Sequence, residues 1–221
     1  MASSVVRPQT RLVVFDLGRV LVRICDNFQQ AFECAGIAPP PLPEPAAMLQ
    51  LHELTCRCDE GKIDINGFCE SAAPLLGLSP QQIRKMSDSF LRGPYPGAAE
   101  IVNELADRGV MTACVSNTND SHWHIMNGPS YPLRRLTHRF ASHLVGCRKP
   151  GVEIYAHLER QTGVEPRHIL FFDDVQDNVA AAIERGWAAH RIDPVLDDPI
   201  AQVRAVLNGR DLLADGAAAR S

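Results

Sequence analysis

Short apolar runs that end on polar residues recur along this chain and limit the folds open to it. Residues 11–16 (RLVVFD) are rich in β-branched side chains, end on a carboxylate and are followed by Gly18. Such runs are typical of strands that are buried on both faces of a parallel sheet. Similar runs end beside polar residues at 110–116, 168–172 and 188–192, and a weaker candidate strand covers 141–145.

Amphipathic helical patterns separate these runs. They cover residues 98–108, 152–162 and 176–185, and a glycine follows each of them, as is common where a helix ends. Alternating strands and helices predict an α/β fold, a doubly wound parallel sheet with helices on both faces. In such sheets functional residues lie at the carboxyl ends of the strands.

Residues 22–93 interrupt this alternation and have only helical patterns, at 27–35, 46–58, 66–76 and 80–91. A chain of 221 residues can form one full core and a smaller inserted module, but is short for two unrelated domains. We therefore predict an α/β core from residues 1–21 and 94–221, with an all-helical insertion at 22–93.

Composition excludes several classes of function. A hydrophobic fraction of 45%, a charged fraction of 22% and a net charge of −4 indicate a soluble globular protein that does not bind nucleic acid. No apolar run is long enough to span a membrane, and the first ten residues lack the apolar segment of a secretory signal. The seven cysteines are interpreted as free thiols, and the expected location is the cytoplasm.

Polar residues at the predicted strand ends indicate a catalytic site. A lone carboxylate can attack phosphorus or carbon, and an acidic pair beside it suits a hard cation such as Mg²⁺. A serine hydroxyl and the next backbone N–H can hold a phosphate oxygen, and a lysine can neutralise charge. Each group alone is a weak signal, but together they predict one site: Asp16, Ser116 with Asn117, Lys149, and Asp173 with Asp174.

These motifs resemble the haloacid dehalogenase superfamily over nearly the whole chain. The similarity lies in residues 13–21 (VVFDLGRVL), 114–119 (CVSNTN), 149–150 (KP) and 171–178 (FFDDVQDN), and the insertion occupies the place of a C1-type helical cap. Residues 59–64 (DEGKID) resemble a segment of one branch. That branch includes α-D-glucose-1-phosphate phosphatase and the N-terminal phosphatase domain of soluble epoxide hydrolases.

The resemblance implies a magnesium-dependent phosphatase with Asp16 as its nucleophile. Asp16 would attack the phosphorus atom of a small phosphorylated metabolite, such as a sugar phosphate, and become an aspartyl phosphate. Its carboxylate, the Gly18 carbonyl and Asp174 would bind Mg²⁺, with Asp173 close by.

The remaining motif residues would bind the phosphoryl group. Ser116 and the Asn117 N–H would hold its oxygens, and Lys149 would neutralise charge as a second catalytic residue. Asp177 and Asn178 would orient other side chains or cap a helix.

Gly18 departs from the pattern, because most phosphatases of this superfamily have a second Asp at that position as general acid and base. Such catalysis is worth roughly 10²–10⁴ in rate. The chain could act on a phosphate with a good leaving group, with Asp26 as a possible substitute acid. It could instead be a 2-haloacid dehalogenase, or a phosphate- or partner-binding relative without catalysis.

Candidate substrate contacts from the cap are the corner at residues 56–59 and the loop before Ile63, with Trp123 and His124 on the core side. His122 follows Ser116 by six residues, and a position on the surface is favoured for it. The oligomeric state, monomer or homodimer, stays open.

Overall fold

A computed structural model describes residues 9–213 of the chain. Residues 1–8 and 214–221, at the two ends of the predicted core, lie outside the described residues, and so does most of the N-terminal stretch interpreted as lacking a secretory signal. Within residues 9–213, no helix combines the length and the apolar character that crossing a membrane requires.

The strands in the described residues are β1 (Leu12–Phe15), β2 (Val22–Ile24), β3 (Leu91–Pro94), β4 (Met111–Ser116), β5 (His138–Ala141), β6 (Ile169–Asp173) and β7 (Ala188–Arg191). Five of them form a parallel sheet in the order β5-β4-β1-β6-β7, so the first strand lies at its centre. The helices are α1 (Phe28–Cys34), α2 (Pro45–Asp59), α3 (Ile65–Leu76), α4 (Pro80–Asp88), α5 (Ala98–Asp107), α6 (Asp120–Met126), α7 (Ser142–Val145), α8 (Val152–Thr162), α9 (Gln176–Glu184) and α10 (Pro199–Asn208).

The two faces of the sheet have separate hydrophobic clusters. Val13 and Phe15 of β1 pack into one cluster, and Leu12 and Val14 pack into the other. Side chains alternate between the faces of a strand, so a strand that is apolar at every position must be covered on both sides. The predicted doubly wound α/β fold is confirmed.

The fifth strand was predicted in the wrong place. The sequence pattern favours residues 141–145, whereas β5 covers His138–Ala141 and the next four residues form the helix α7. β5 lies at the edge of the sheet, and Arg139 on it is exposed. An edge strand needs fewer apolar residues, which weakens its sequence signal.

Helices α1–α4 surround a hydrophobic cluster of their own, which includes Phe32, Phe68 and Ile83. The interpretation of residues 22–93 as helices only is wrong at both ends, because β2 and β3 pair there as an antiparallel ribbon. The chain leaves the core through β2 and returns through β3. The two strands are far apart in sequence, so no local hairpin signal marks them.

Candidate active site

The carboxyl ends of three adjacent strands bring the predicted catalytic residues together. Phe15 of β1 pairs with Cys114 of β4 on one side and with Phe172 of β6 on the other. Asp16 is the residue after β1, and its N–H donates to the Phe172 carbonyl at 2.8 Å. Ser116 and Asp173 are the last residues of the two neighbouring strands, so both lie beside Asp16.

Lys149 lies between two of these carboxylates. Its Nζ is 2.8 Å from Asp16 Oδ1 and 2.6 Å from Asp173 Oδ2, and the residue is only 1% exposed. The Asn117 side chain holds the lysine backbone in place. Asn117 Nδ2 donates to the Lys149 carbonyl at 2.9 Å, and Asn117 Oδ1 accepts from the Lys149 N–H at 2.8 Å. Asn117 thus has a positioning role that the sequence reading missed, besides its predicted N–H contact.

Asp173 is completely buried and held by several donors. Asn178 Nδ2 donates to both of its carboxylate oxygens, at 2.9 and 3.1 Å, and the Val175 N–H donates to Oδ1 at 2.9 Å. The Tyr155 hydroxyl in turn donates to the Asn178 carbonyl at 3.0 Å. Asn178 therefore orients Asp173, which is one of the two roles considered for it, while Asp177 lies exposed in the first turn of α9.

Asp16, Asp173 and Asp174 form a group that could hold a metal ion, because their carboxylate oxygens lie within 4.8 Å of one another. Lys149 compensates part of their charge, and Arg19 Nη1 lies 3.8 Å from Asp174 Oδ2. An all-oxygen set of this kind fits the preference of Mg²⁺ for carboxylate ligands. Gly18, the other predicted ligand, follows Asp16 by two residues in the same loop.

Burial and mutual repulsion perturb the pKa values in this group. Burial raises the pKa of Asp16 to about 7, with Lys149 opposing the shift and the two neighbouring carboxylates adding to it. Burial and Asp173 also raise the pKa of Asp174. Burial acts to lower the pKa of Lys149, but the two contacting carboxylates raise it well above its ordinary value. A bound cation would relieve this repulsion and favour the ionised carboxylates.

A cavity of about 220 Å³ begins at Gly18, Ser116 and Asn117 and extends between the core and the inserted helices. We call it the apolar chamber, because hydrocarbon side chains dominate its wall on the side of the insertion. The apolar residues of that wall are Ile24, Phe28, Ile65, Phe68, Met86, Phe90 and Leu91.

His122 lines this chamber, which corrects the position on the surface that the sequence analysis favours. Its Nε2 is 2.8 Å from the Ser87 carbonyl, and its ring stacks on Phe90 with centroids 6.5 Å apart. Burial lowers its pKa. The residue lies in the first turn of α6, and α4 of the insertion covers it. No pattern near residue 122 could indicate this contact.

The other suggested substrate contacts divide between chamber and surface. Cys58 and Asp59 of the predicted cap corner line the chamber, whereas Trp123 packs against the core and His124 is exposed. Burial raises the pKa of Asp59 to about 7, and Arg148 opposes this shift.

Asp26 does not replace the acid that is missing at Gly18. Its side chain is 77% exposed, and Arg19 binds it through an ion pair of 3.7 Å and a hydrogen bond to its carbonyl. It is not among the residues that line the chamber. A Cβ atom at Gly18 would lie 3.3 Å from Ile24 Cδ1, so even a small side chain there would require Ile24 to shift.

Residues 10–186 match the haloacid dehalogenase-like hydrolase family. The chain belongs to this family, and the predicted superfamily and hydrolase class are both confirmed; the particular branch stays a prediction.

All seven cysteines are free thiols.

Two curated relatives are phosphatases by name. The sesquiterpene phosphatase astK of Aspergillus oryzae is 28% identical over 127 residues, which are 56% of this chain and 64% of that protein. Enolase-phosphatase E1 of Acidiphilium cryptum is 30% identical over 94 residues, or 42% of this chain and 40% of that protein. The chain thus spans less than two thirds of the length of either relative.

Solved structures of the family share the fold. A HAD family enzyme of Bacteroides thetaiotaomicron, in complex with magnesium and inorganic phosphate, has a TM-score of 0.67 at 21% identity and covers 85% of this chain and 96% of its own. The L-2-haloacid dehalogenase of Xanthobacter autotrophicus has a TM-score of 0.62 at 22% identity, and the match covers 91% of this chain and 84% of the dehalogenase chain. These similarities show that the chain has the same architecture.

Proposed function

We propose that this protein is a magnesium-dependent phosphatase that hydrolyses a small phosphate monoester through an aspartyl phosphate on Asp16. The observation that carries this proposal is the close arrangement of Asp16, Asp173 and Asp174 at the ends of β1 and β6 around the buried Lys149, which lies between α7 and α8. A haloacid dehalogenase needs no cation, and without one the three close carboxylates would repel each other strongly. The phosphatase names of both curated relatives support the same reaction.

The reaction would proceed in two displacements at phosphorus. An Asp16 oxygen attacks phosphorus and the bond to the leaving oxygen breaks, and the leaving oxygen takes a proton from water to depart as the alcohol. Water then attacks the phosphorus of the aspartyl phosphate, which releases inorganic phosphate and restores the carboxylate. Ser116 and the Asn117 N–H would hold the phosphoryl oxygens, while Lys149 would neutralise the charge that collects on them.

The carboxylates of Asp16, Asp173 and Asp174, with the Gly18 carbonyl, would hold the Mg²⁺ ion. When bound, Mg²⁺ would reduce the repulsion between these carboxylates and an anionic substrate. Asn178 and Lys149 keep Asp173 in a fixed orientation for this role.

The insertion at residues 22–93 would act as a cap that closes over the site and excludes water. Hydrogen bonds from α6 support this role: Asp120 Oδ1 accepts from the Ile65 N–H at 3.1 Å, and Ser121 Oγ donates to Asp88 Oδ1 at 2.9 Å. The sugar-phosphate-like substrate and the cytoplasmic location stay predictions. The names of the relatives support phosphatase activity without selecting one substrate.

Release of phosphate from 4-nitrophenyl phosphate tests this function. We expect turnover that requires Mg²⁺ and falls by at least about 10⁴-fold in Asp16→Asn, which loses the nucleophile. Asp107→Asn is the matched control, because Asp107 is exposed at the end of α5, away from the strand ends.

Chloride release from 2-chloropropionate without metal would instead show a dehalogenase. Absence of both activities, with phosphate binding that Asp16→Asn leaves unchanged, would show a binding protein without catalysis.

A further inference from the structure

The apolar chamber joins the predicted phosphate site to the interior of the insertion. Phe28, Phe68 and Met86 extend into it from α1, α3 and α4, while Ser116 and Asn117 close the opposite end. A phosphoryl group bound at the strand ends would therefore direct its leaving group toward these three hydrocarbon side chains.

The polar groups that border the chamber are mostly bound to one another. Thr55 Oγ1 donates to the Leu51 carbonyl at 2.9 Å, and His122 Nε2 lies 2.8 Å from the Ser87 carbonyl. Asn119 Oδ1 accepts from the His122 N–H at 2.9 Å. The hydroxyls of a sugar would lose water on entering and find few free partners, which opposes binding. A hydrocarbon has no such requirement.

Two of the residues that line the chamber are exceptions. Asp59 makes no side-chain hydrogen bond to a described residue, and the buried Thr118 Oγ1 has no hydrogen-bond partner among the described residues. Burial raises the pKa of Asp59 to about 7, so that much of the population carries no charge near neutral pH. A carboxyl group and one hydroxyl can bind part of a polar ligand, but the several hydroxyls of a sugar need more partners than these two side chains supply.

A second cavity of about 140 Å³ lies beyond the chamber, under the proline-rich segment at residues 39–43. Phe28, Phe68 and Met86 line both cavities and so form a partition between them. Phe28 is the most accessible member of this partition, since it is 47% exposed and occupies the first position of α1.

We propose that the chamber binds a hydrocarbon leaving group, so that the substrate is the phosphate monoester of a lipophilic alcohol, in place of the sugar-phosphate-like substrate predicted from the sequence. We further assign to the partition of Phe28, Phe68 and Met86 the limit on hydrocarbon length. The chamber volume of about 220 Å³ bounds the size of the hydrocarbon that fits before the partition. The inference rests on the proposed phosphatase function for the phosphoryl end alone.

Binding of n-alkyl phosphonates, which cannot be hydrolysed, tests the chamber independently of turnover. In calorimetry with Mg²⁺ present, affinity should rise roughly threefold to fourfold per methylene from the ethyl to the hexyl compound, because each methylene leaves water. For chains longer than hexyl, affinity should no longer rise, because the partition blocks further methylenes. Glucose 1-phosphate should bind more weakly than the hexyl compound.

Phe28→Asp places a charge in the chamber wall, and an acidic residue in the first turn of a helix is compatible with α1. We expect it to weaken binding of the hexyl compound at least tenfold and leave methyl phosphonate unchanged. Phe28→Ala opens the partition and should move the preferred chain length toward the decyl compound. Leu49→Asp is the matched control, because Leu49 is 72% exposed on α2 and lines neither cavity.

The possible outcomes separate the two proposals. The proposal of a hydrocarbon-binding chamber is overturned if affinity does not depend on chain length, or if glucose 1-phosphate binds as tightly as the hexyl compound. Either result overturns it even if 4-nitrophenyl phosphate is hydrolysed. Affinity that rises with chain length while no phosphate is released supports the chamber and rejects the phosphatase. An equal effect of Phe28→Asp and Leu49→Asp removes the role of the partition.

Discussion

The two ends of the candidate substrate site differ in almost every physical property. At the strand ends, Lys149 contacts Asp16 and Asp173 at 2.8 and 2.6 Å, and the Asp174 carboxylate lies within 4.8 Å of the other two. Asn117 holds the Lys149 backbone, and Asn178 holds Asp173. In the chamber, apolar side chains from different helices surround a space that few free polar groups enter. A fixed charge arrangement suits one reaction, whereas a nonpolar wall selects by size and polarity. The core would thus determine the chemistry, and the insertion would determine the substrate.

Lys149→Met should have the largest effect on this comparison. It leaves two buried carboxylates without their shared cation, so phosphate release should fall roughly 10²–10³-fold. The loss should be equal for short and long alkyl phosphates, because Lys149 does not line the chamber. Phosphate assays over the alkyl series check this, with the exposed Lys85→Met as the control. A loss that grows with chain length would contradict the separation of the two ends.

Asn178→Ala should have a smaller effect at the same end of the site. The substitution removes the donor that orients Asp173, and such supporting groups typically account for 10–100-fold in activity or metal affinity. Higher Mg²⁺ concentration should restore part of the activity if the side chain acts through the metal site. A Mg²⁺ titration of phosphate release measures this, and a loss that Mg²⁺ does not reduce would point to a merely structural role.

Asp59→Asn tests whether the chamber keeps the Asp59 carboxyl group away from water, and the free energy of unfolding is the quantity measured. Burial raises the pKa of Asp59 in the folded protein, so its contribution to stability is complete below about pH 4 and decreases as pH rises through about 7. Asparagine does not ionise, so the free energy of unfolding of the variant should exceed that of the wild type by about 4 kcal/mol near pH 8, at about 1.4 kcal/mol for each unit of the shift from 3.8 to about 7. The difference should disappear by about pH 4.

Urea unfolding across this pH range measures the difference, with Asp107→Asn as an exposed control. If the difference in free energy of unfolding between the variant and the wild type is the same at both ends of the pH range, Asp59 is well solvated in the folded protein.

The contrast between the two ends also explains which parts could be predicted from sequence. Asp16, Ser116 and Asp173 stand next to apolar runs, and parallel strands bring their carboxyl ends to one edge whatever the connections are. Their proximity follows from local patterns and one topological rule. Lys149 belongs to the same motif set, although its ion pairs with Asp16 and Asp173 are visible only in the structure.

The apolar chamber could not be predicted in this way. Phe28, Phe68 and Met86 lie on three helices, and each has the apolar character expected of any core residue. Only the packing of the insertion on α6 shows that they face a cavity, and that His122 is covered by α4. The ribbon of β2 and β3 could not be predicted for the same reason, because all four inserted helices separate its two strands in the sequence.

The sequence by itself therefore determined the α/β class and the identity of the charged residues, because strand periodicity and strand ends are local properties. The tertiary structure alone decided the shape and polarity of the space above Asp16. That space depends on how the inserted helices pack against the sheet, and packing joins residues that are distant along the chain.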